Sequence, residues 1–189
     1  MEKIKIIFLD IDGVLNSNDY AVWCATTDEG KQFIKDGGHH WVDPNAVNRI
    51  IKICDETGAG IVLSSSWRFY NLEKTIENLN RYRDLKDIAE RLIGVTPRLK
   101  MSSSYRGPEI QWFLDNIVKP PIDPYNRFYD YDFFKYAKRK KISYCIIDDD
   151  TDMLPEQMNH FVNTDFMVGL TDEDVDKIIT ILNNNEYKK

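Results

Sequence analysis

The acidic side chains that could do chemistry fall into two short groups. Asp10 and Asp12 lie one residue apart within IFLDIDGVLNS. Asp148–Asp150 form a continuous run, and Asp152 follows just beyond it. Carboxylates that converge at one place repel each other, and burying them unpaired costs free energy. A divalent cation relieves that cost, and Mg²⁺ prefers oxygen ligands that include a substrate phosphate. The two groups together therefore predict a Mg²⁺ site suited to chemistry on a phosphate group.

Both acidic groups follow apolar runs of strand length. Such runs occur at residues 4–9, 60–63 and 143–147, with a weaker one at 160–164. Continuous apolar runs are typical of central strands in a parallel sheet, because such strands are buried on both faces. Helical patterns occur at residues 43–58, 85–94, 107–118 and 171–184. This alternation predicts an α/β fold with a doubly wound, mainly parallel sheet and helices on both faces.

Two segments do not follow this alternation of strands and helices. Residues 16–42 are polar and rich in turn-forming residues, and residues 119–134 are aromatic and interrupted by proline. Neither segment has the length or the apolar content of a separate domain. We therefore expect one domain over residues 1–189, with both segments as excursions at the edges of the sheet.

The bulk composition argues against several classes of protein. The chain has 189 residues, a net charge of −6 and a pI near 5.1. It lacks the basic footprint of a protein that binds duplex nucleic acid or an anionic membrane. No apolar stretch is long enough to cross a bilayer, and no signal peptide is visible. The three cysteines are far apart and odd in number, so we expect buried thiols in a reducing, cytoplasmic compartment.

Serine and arginine side chains stand near the same predicted strand ends. Ser64, Ser65 and Ser66 follow the second apolar run, and Arg106 precedes the third helical pattern. In open α/β sheets, ligands bind at the carboxyl ends of the strands, so these side chains could face a phosphate. The plain alternatives are turn serines and a surface arginine. Lys100 is a second candidate for the cation that Arg106 would supply.

The motifs that contain these residues resemble those of the haloacid dehalogenase-like (HAD) hydrolase superfamily. FLDIDGVLN resembles the first motif, IVLSSSW the second and YCIIDDDTD the fourth. Arg106 stands where the third motif has Lys or Arg. The patterns R-x-x-EI, DDD-x-DM and TD-x-x-x-GLT narrow the resemblance to the HAD-like phosphatase domain associated with RNA-repair proteins, a group related to polynucleotide 3′-phosphatases. The resemblance implies a Rossmann-like fold with a small or minimal cap.

The same resemblance implies roles for the acidic residues. Asp10 would be the nucleophile that forms an aspartyl-phosphate, which divides one difficult step into two easier ones. Asp12 would protonate the leaving alcohol and then activate water. Mg²⁺ would be held by an Asp10 oxygen, the Asp12 backbone carbonyl, and Asp148 or Asp149. Asp152 would be an alternative or outer ligand.

The remaining residues of the implied site would bind phosphate or shape the loop. Ser64, or Ser65 in its place, would donate a hydrogen bond to a phosphoryl oxygen. Arg106 would stabilise the phosphoryl charge, because its planar guanidinium suits phosphate oxygens. Arg68 would add a contact to the substrate phosphate. Gly13 would let the backbone turn sharply after the first acidic pair and approach the substrate.

These inferences favour a Mg²⁺-dependent phosphomonoesterase that acts on a polynucleotide terminal phosphate, of RNA or DNA, or on a nucleotide. The segment between the first two motifs is short, which predicts an open site that admits a macromolecular end. The main alternative is a phosphatase of a small phosphorylated metabolite. A non-catalytic receiver-like module is weaker, because a receiver has its phospho-acceptor after a middle strand. We expect no membrane partner and no obligate protein partner.

Two further features have ordinary explanations. His39 and His40 are adjacent, but they lack other ligands at a useful spacing, so a polar loop is expected. The aromatic stretch YNRFYDYDFFKY could stack unpaired bases, although packing within its own segment is the simpler explanation. Neither feature enters the predicted catalytic site.

Overall fold

A five-stranded sheet forms the centre of the molecule. The computed structural model describes residues 3–69, 71–99, 105–118, 137 and 140–187. The strands are β1 (Lys3–Leu9), β2 (Gly60–Leu63), β3 (Leu92–Val95), β4 (Lys141–Asp148) and β5 (Phe161–Asn163). All neighbouring strands pair in parallel, in the order β3-β2-β1-β4-β5. The first strand of the chain is therefore the central strand of the sheet.

Helices connect these strands. They are α1 (Asn18–Thr26), α2 (Asp28–Lys35), α3 (Pro44–Thr57), α4 (Leu72–Leu79), α5 (Lys86–Glu90), α6 (Arg106–Val118) and α7 (Asp172–Asn184). Short 3₁₀ turns occupy Arg83–Leu85 and Pro155–His160. The helix α3 begins after the N-cap Asp43, whose side chain accepts from the Asn45 amide, and ends at Gly58 with a φ of +70°. These capping residues set the bounds of the helix through local chemistry.

The central strand is buried on both of its faces. Ile7 and Leu9 belong to one core cluster, which also contains the apolar faces of α3 and α7. Ile6 and Phe8 belong to a second cluster on the other face, where Phe8 meets Phe113 of α6 edge-on with ring centroids 5.5 Å apart. Successive side chains of a strand point to opposite faces, so an unbroken apolar run is what this position requires. The predicted α/β, Rossmann-like fold is confirmed.

The single helix predicted at residues 85–94 is wrong. The helix α5 ends at Glu90, and the apolar residues that follow form β3 at the edge of the sheet. The Ile61 amide donates to the Arg91 carbonyl at 3.0 Å, and the Thr96 amide donates to the Leu63 carbonyl at 3.0 Å. The backbone groups of β2 need partners, and pairing with β3 supplies them. The local periodicity of the sequence does not show that the backbone groups of β2 need hydrogen-bond partners.

The segment 16–42 contains more regular structure than its polar composition predicts. It forms α1 and α2, and each helix begins with a side-chain cap. Ser17 Oγ accepts from the Tyr20 amide at 3.2 Å, and Thr27 Oγ1 accepts from the Gly30 amide at 3.0 Å. The two caps explain why short helices form in a segment with little apolar periodicity. The helix α4 was also absent from the sequence prediction.

Other sequence predictions have mixed outcomes. All three cysteines are buried and have free thiols, as expected. Among the helices of the described residues, none has both the length and the apolarity needed to cross a membrane. The predicted excursion at residues 119–134 lies outside the described residues, and so does Lys100.

Candidate active site

The register of the sheet brings the predicted site residues together. The central strand β1 ends at Leu9, which pairs with the last residue of β2 and with Ile147 of β4. The Asp10 amide donates to the Ile147 carbonyl at 3.0 Å, and the Ser64 amide donates to the Leu9 carbonyl at 2.8 Å. Asp10, Ser64 and Asp148 are therefore neighbours at the carboxyl edge of the sheet. This is the edge where open α/β sheets bind ligands.

Three carboxylates form the centre of this site. Asp10, Asp148 and Asp149 each place a ligand oxygen within 4.8 Å of the others, and the first two side chains are buried. Asp10 Oδ1 and Asp148 Oδ2 have no hydrogen-bond partner among the described residues. A buried carboxylate oxygen without a partner is costly, and a bound cation removes that cost. The arrangement could therefore hold a metal ion.

Arg106 lies beside two of these carboxylates. Its Nη2 is 3.6 Å from Asp10 Oδ1, and its Nε is 3.7 Å from Asp148 Oδ2. These distances allow electrostatic attraction but are too long for good hydrogen bonds. The start of α6 is fixed by Asp152, whose Oδ2 accepts from the Arg106 amide at 2.9 Å. Asp152 thus positions the arginine and is not one of the three clustered carboxylates.

The surroundings of the cluster raise the pKa values of its carboxyl groups. Burial raises the pKa of Asp10 above its ordinary value, while the charge of Arg106 opposes the rise. Burial also raises the pKa of Asp148, and the negative charge of Asp10 adds to that rise. The pKa of Asp149 is raised by burial as well. The site therefore disfavours three negative charges unless a cation compensates them.

Asp12 belongs to a separate hydrogen-bond network beside the cluster. Its carboxylate accepts from Asn16 Nδ2 at 3.0 Å, from Ser66 Oγ at 3.2 Å and from Trp67 Nε1 at 3.1 Å. All three donors are neutral, and the side chain is partly exposed. Asp10, by contrast, is buried beside a guanidinium. The two aspartates therefore have different surroundings although they look alike in the sequence.

Gly13 shapes the loop between these two networks. Its φ is +68°, a conformation that glycine adopts without steric cost. A Cβ at this position would lie 2.3 Å from Cγ of Asp149, so any side chain would displace a carboxylate of the cluster. Thr164 Oγ1 donates to the Gly13 carbonyl at 2.9 Å and fixes the turn. This geometry gives Gly13 a part in forming the site, and its contact with substrate stays a prediction.

The serines after β2 have distinct surroundings. The Ser65 hydroxyl is close enough to Asp10 to lower the pKa of that carboxyl, against the larger effect of burial. Its oxygen accepts from the Trp67 amide at 3.2 Å. The Ser64 oxygen instead accepts from Thr96 Oγ1 at 3.4 Å, at the end of β3. The two hydroxyls therefore have different neighbours, and which of them contacts a phosphate stays a prediction.

Arg68 lies in the interior instead of at the carboxylate cluster. Its guanidinium donates to the carbonyl oxygens of Thr96, Ser65 and Pro97 at 3.0, 2.6 and 3.3 Å, and it pairs with the buried carboxylate of Glu109. Burial lowers the pKa of Arg68 to about 10, and the charge of Glu109 opposes that effect. These contacts use four of the five N–H donors of the guanidinium, and the predicted contact of Arg68 with substrate phosphate stays a prediction.

A comparison with protein-family models agrees with this geometry. Residues 6–175 match the model of the HAD domain in Swiss Army Knife RNA repair proteins. The chain belongs to this family. Membership makes it a HAD-type hydrolase domain and confirms the narrower resemblance drawn from its motifs. No curated protein matches the chain, and no solved structure does.

Some residues that support the HAD site have little or no local signal in the sequence. Asn163 Nδ2 donates to the carbonyls of Asp148 and Asp149 at 3.1 and 2.8 Å, and so ties the acidic loop to β5. Glu109 falls within the R-x-x-EI pattern, but the pattern does not reveal its buried partner. Asn16 has a local signal, because it lies in the same tight turn as the first acidic pair.

The raised carboxyl pKa values predict an unusual dependence of stability on pH in the absence of metal. In the unfolded chain, aspartates lose their protons near pH 4, whereas the folded cluster retains protons to higher pH. Raising the pH from 5 to 8 in EDTA should therefore lower the free energy of unfolding by more than about 1 kcal/mol, since one pKa unit corresponds to about 1.4 kcal/mol. Urea denaturation across this range measures the effect.

The variant Asp148→Asn is the control for that pH dependence. It removes one charge from the cluster at nearly constant shape, so it should be more stable than the wild type at pH 8 and should lose much of the pH dependence. A wild-type free energy of unfolding that stays constant or increases between pH 5 and 8 would contradict the cause that we assign.

The buried pair of Arg68 and Glu109 predicts an effect on stability. Glu109→Leu leaves a guanidinium buried without its partner and should cost about 3–5 kcal/mol in urea denaturation. The double variant Arg68→Met with Glu109→Leu should recover part of that loss. Arg49→Ala, which breaks a pair with the exposed Asp172, is the surface control and should cost less than about 1 kcal/mol. If Arg68→Met left the stability unchanged but weakened phosphate binding, the result would support a contact between Arg68 and the substrate phosphate.

Proposed function

We propose that this HAD domain is a Mg²⁺-dependent phosphomonoesterase that acts through an aspartyl-phosphate on the terminal phosphate of a polynucleotide. The observation that supports it best is the pair of buried carboxylate oxygens on Asp10 and Asp148 that lack a hydrogen-bond partner. They lie with Asp149 in one cluster beside the Arg106 guanidinium. Such a cluster suits both a hard divalent cation and a phosphate group.

The donor set fits Mg²⁺. Its members are all carboxylate oxygens, which are the ligands that Mg²⁺ prefers, and two of the buried oxygens have no hydrogen-bond partner among the described residues. Asp10, Asp148 and Asp149 would hold the ion. When bound, Mg²⁺ would neutralise charge between the carboxylates and the phosphate dianion. The backbone carbonyl of Asp12 remains a proposed further ligand.

The chain's own residues divide the remaining work. An Asp10 carboxylate oxygen attacks phosphorus, and the bond from phosphorus to the alcohol oxygen breaks as Asp12 donates a proton to that oxygen. Asp12 then takes a proton from water, whose oxygen attacks phosphorus and releases phosphate from Asp10. Arg106 stabilises charge on the phosphoryl oxygens, and the Ser65 hydroxyl orients the nucleophile.

The polynucleotide substrate is supported by the family, because its members are described as domains of RNA repair proteins. A nucleotide has the same phosphate chemistry, and a small phosphorylated metabolite is the alternative. These substrates differ in what the phosphate is attached to, so a substrate panel separates them.

The substrate panel should compare terminally phosphorylated oligonucleotides, mononucleotides, sugar phosphates and an aryl phosphate. We expect the highest kcat/KM on an oligonucleotide end, loss of turnover in EDTA, and recovery on addition of Mg²⁺. Release of inorganic phosphate is the measurement. Turnover of sugar phosphates alone would eliminate the polynucleotide proposal, and turnover that is unaffected by EDTA would eliminate the metal.

The two aspartates should respond differently to substitution. Asp10→Asn should abolish the acid-stable phosphoprotein that brief incubation with labelled substrate forms, because it removes the nucleophile. Asp12→Asn should lower kcat/KM, which reports the phosphorylation step, by roughly 10²–10⁴-fold on an alkyl phosphate and by less on an aryl phosphate, whose leaving group needs no proton. Asp19→Asn, an exposed aspartate on α1, is the matched control and should behave as the wild type. Equal losses on both phosphates would contradict the acid role of Asp12.

A further inference from the structure

A groove opens directly beside Asp12, at the carboxyl ends of β2 and β3. Its volume is about 480 Å³, and its lining includes Ser66, Trp67, Phe69, Asn78, Tyr82 and Arg98. Pockets that bind small ligands typically measure about 300–1,000 Å³, so a nucleoside fits this size class. The groove mixes aromatic rings with polar groups and two arginines, Arg68 and Arg98. None of its residues belongs to the carboxylate cluster.

The groove lies on the side of the site where a leaving group must stand. Ser66 Oγ and Trp67 Nε1 both donate to the Asp12 carboxylate, so the groove wall and the acid are in direct contact. In the proposed mechanism, Asp12 donates a proton to the alcohol oxygen of the substrate. Whatever is attached to that oxygen therefore extends from Asp12 into or across the groove.

Aromatic rings continue from this groove along the surface. Tyr82 meets Trp67 with ring centroids 5.3 Å apart and meets His39 at 5.3 Å. His39 stacks on His40 at 5.1 Å, and His40 contacts Trp41 at 4.6 Å. We call this series, together with Phe69, the aromatic strip. The strip connects the groove to the loop before α3.

Packing of the core does not account for the ends of the aromatic strip. Phe69 is 44 % exposed and Trp41 is 53 % exposed, so neither ring is buried in the core. The His39 carbonyl accepts from the Tyr20 hydroxyl at 3.1 Å, so the loop that presents these rings is anchored. Exposed rings on an anchored loop are available to stack with a ligand.

The charge of the chain favours stacking over phosphate attraction as the source of affinity. The net charge is −6, and two arginines line the groove. Arg68 is buried and paired with Glu109, which leaves Arg98 as the exposed one. Stacking of a base on an aromatic side chain is sequence-tolerant and worth about 1–3 kcal/mol per base. Unpaired bases are thus the ligands that the aromatic strip suits.

We propose that the groove and the aromatic strip bind the unpaired bases of a phosphorylated polynucleotide end. The base of the terminal nucleotide stacks against Phe69 in the groove, and the bases that follow lie toward Trp41. This inference rests on the proposed function, which it deepens by identifying how the leaving group is recognised.

The test measures binding of terminally phosphorylated tetranucleotides to Asp10→Asn protein by fluorescence anisotropy, because this variant does not consume the ligand. One ligand has all its bases, and the matched ligand lacks the base of the terminal nucleotide. Removal of that base should raise Kd about tenfold, in line with one stacking contact. Phe69→Leu, made in the same Asp10→Asn background, should raise Kd about tenfold for the intact ligand and have little further effect on the abasic one.

Two further variants separate stacking from general damage. Phe69→Tyr keeps a ring and should bind the intact ligand as tightly as Phe69 does. Phe166→Leu is the matched control, since Phe166 is 48 % exposed and follows β5 at the opposite edge of the sheet. Trp41→Leu should weaken binding of a tetranucleotide more than that of a dinucleotide.

The outcomes separate this inference from the proposed function. Equal Kd values for the intact and abasic ligands, or equal effects of Phe69→Leu and Phe166→Leu, would overturn the inference alone. Acetyl phosphate is a substrate without a ring. Its turnover by the wild type would in that case still support the phosphatase. Absence of turnover on every phosphate compound would overturn the proposed function, whereas the binding experiment would still report on the groove.

Discussion

The mutual repulsion of buried carboxylates at the carboxyl edge of the sheet is the constraint on which the site depends. Parallel pairing of β1 with β4 forces Asp10 and Asp148 together, because their strands end in the same register. Burial and proximity then make their charged forms unfavourable. Arg106 offsets part of this cost from α6, and a bound cation would offset the rest. The same interaction that destabilises the metal-free site is what prepares it for a cation and a phosphate.

The surrounding structure fixes the positions of these charges. Asp152 holds the first residue of α6, so the arginine faces the cluster from a rigid helix. Asn163 and Thr164 bind the loops that contain the acidic residues, and Gly13 leaves room for the side chain of Asp149. Each contact is a backbone hydrogen bond or a close approach of backbone to side chain. A preorganised site of this kind needs little rearrangement when its ligands bind.

The two arginines near the site show how burial decides function. Arg68 and Arg106 both lie close to motif residues in the sequence, and both were candidates for phosphate contacts. The donors of Arg68 are directed to three carbonyl oxygens and to Glu109 in the interior. Arg106 instead lies 3.6–3.7 Å from the carboxylates, at a distance that leaves its donors available. Arg106 is therefore the arginine beside the carboxylate cluster, and Arg68 is the internal one.

The sequence by itself determined the α/β fold, the central strand and the acidic groups that follow β1 and β4. These features follow from local patterns in the sequence. An apolar run indicates a buried strand, and residue spacing indicates which side chains come directly after the strand ends. The tertiary structure alone decided that residues 92–95 form an edge strand and that Arg68 is internal. Each of these depends on a partner far away in the chain, such as Glu109 or the edge of β2. Local sequence patterns do not identify such distant partners, because packing determines how strands pair and where side chains point.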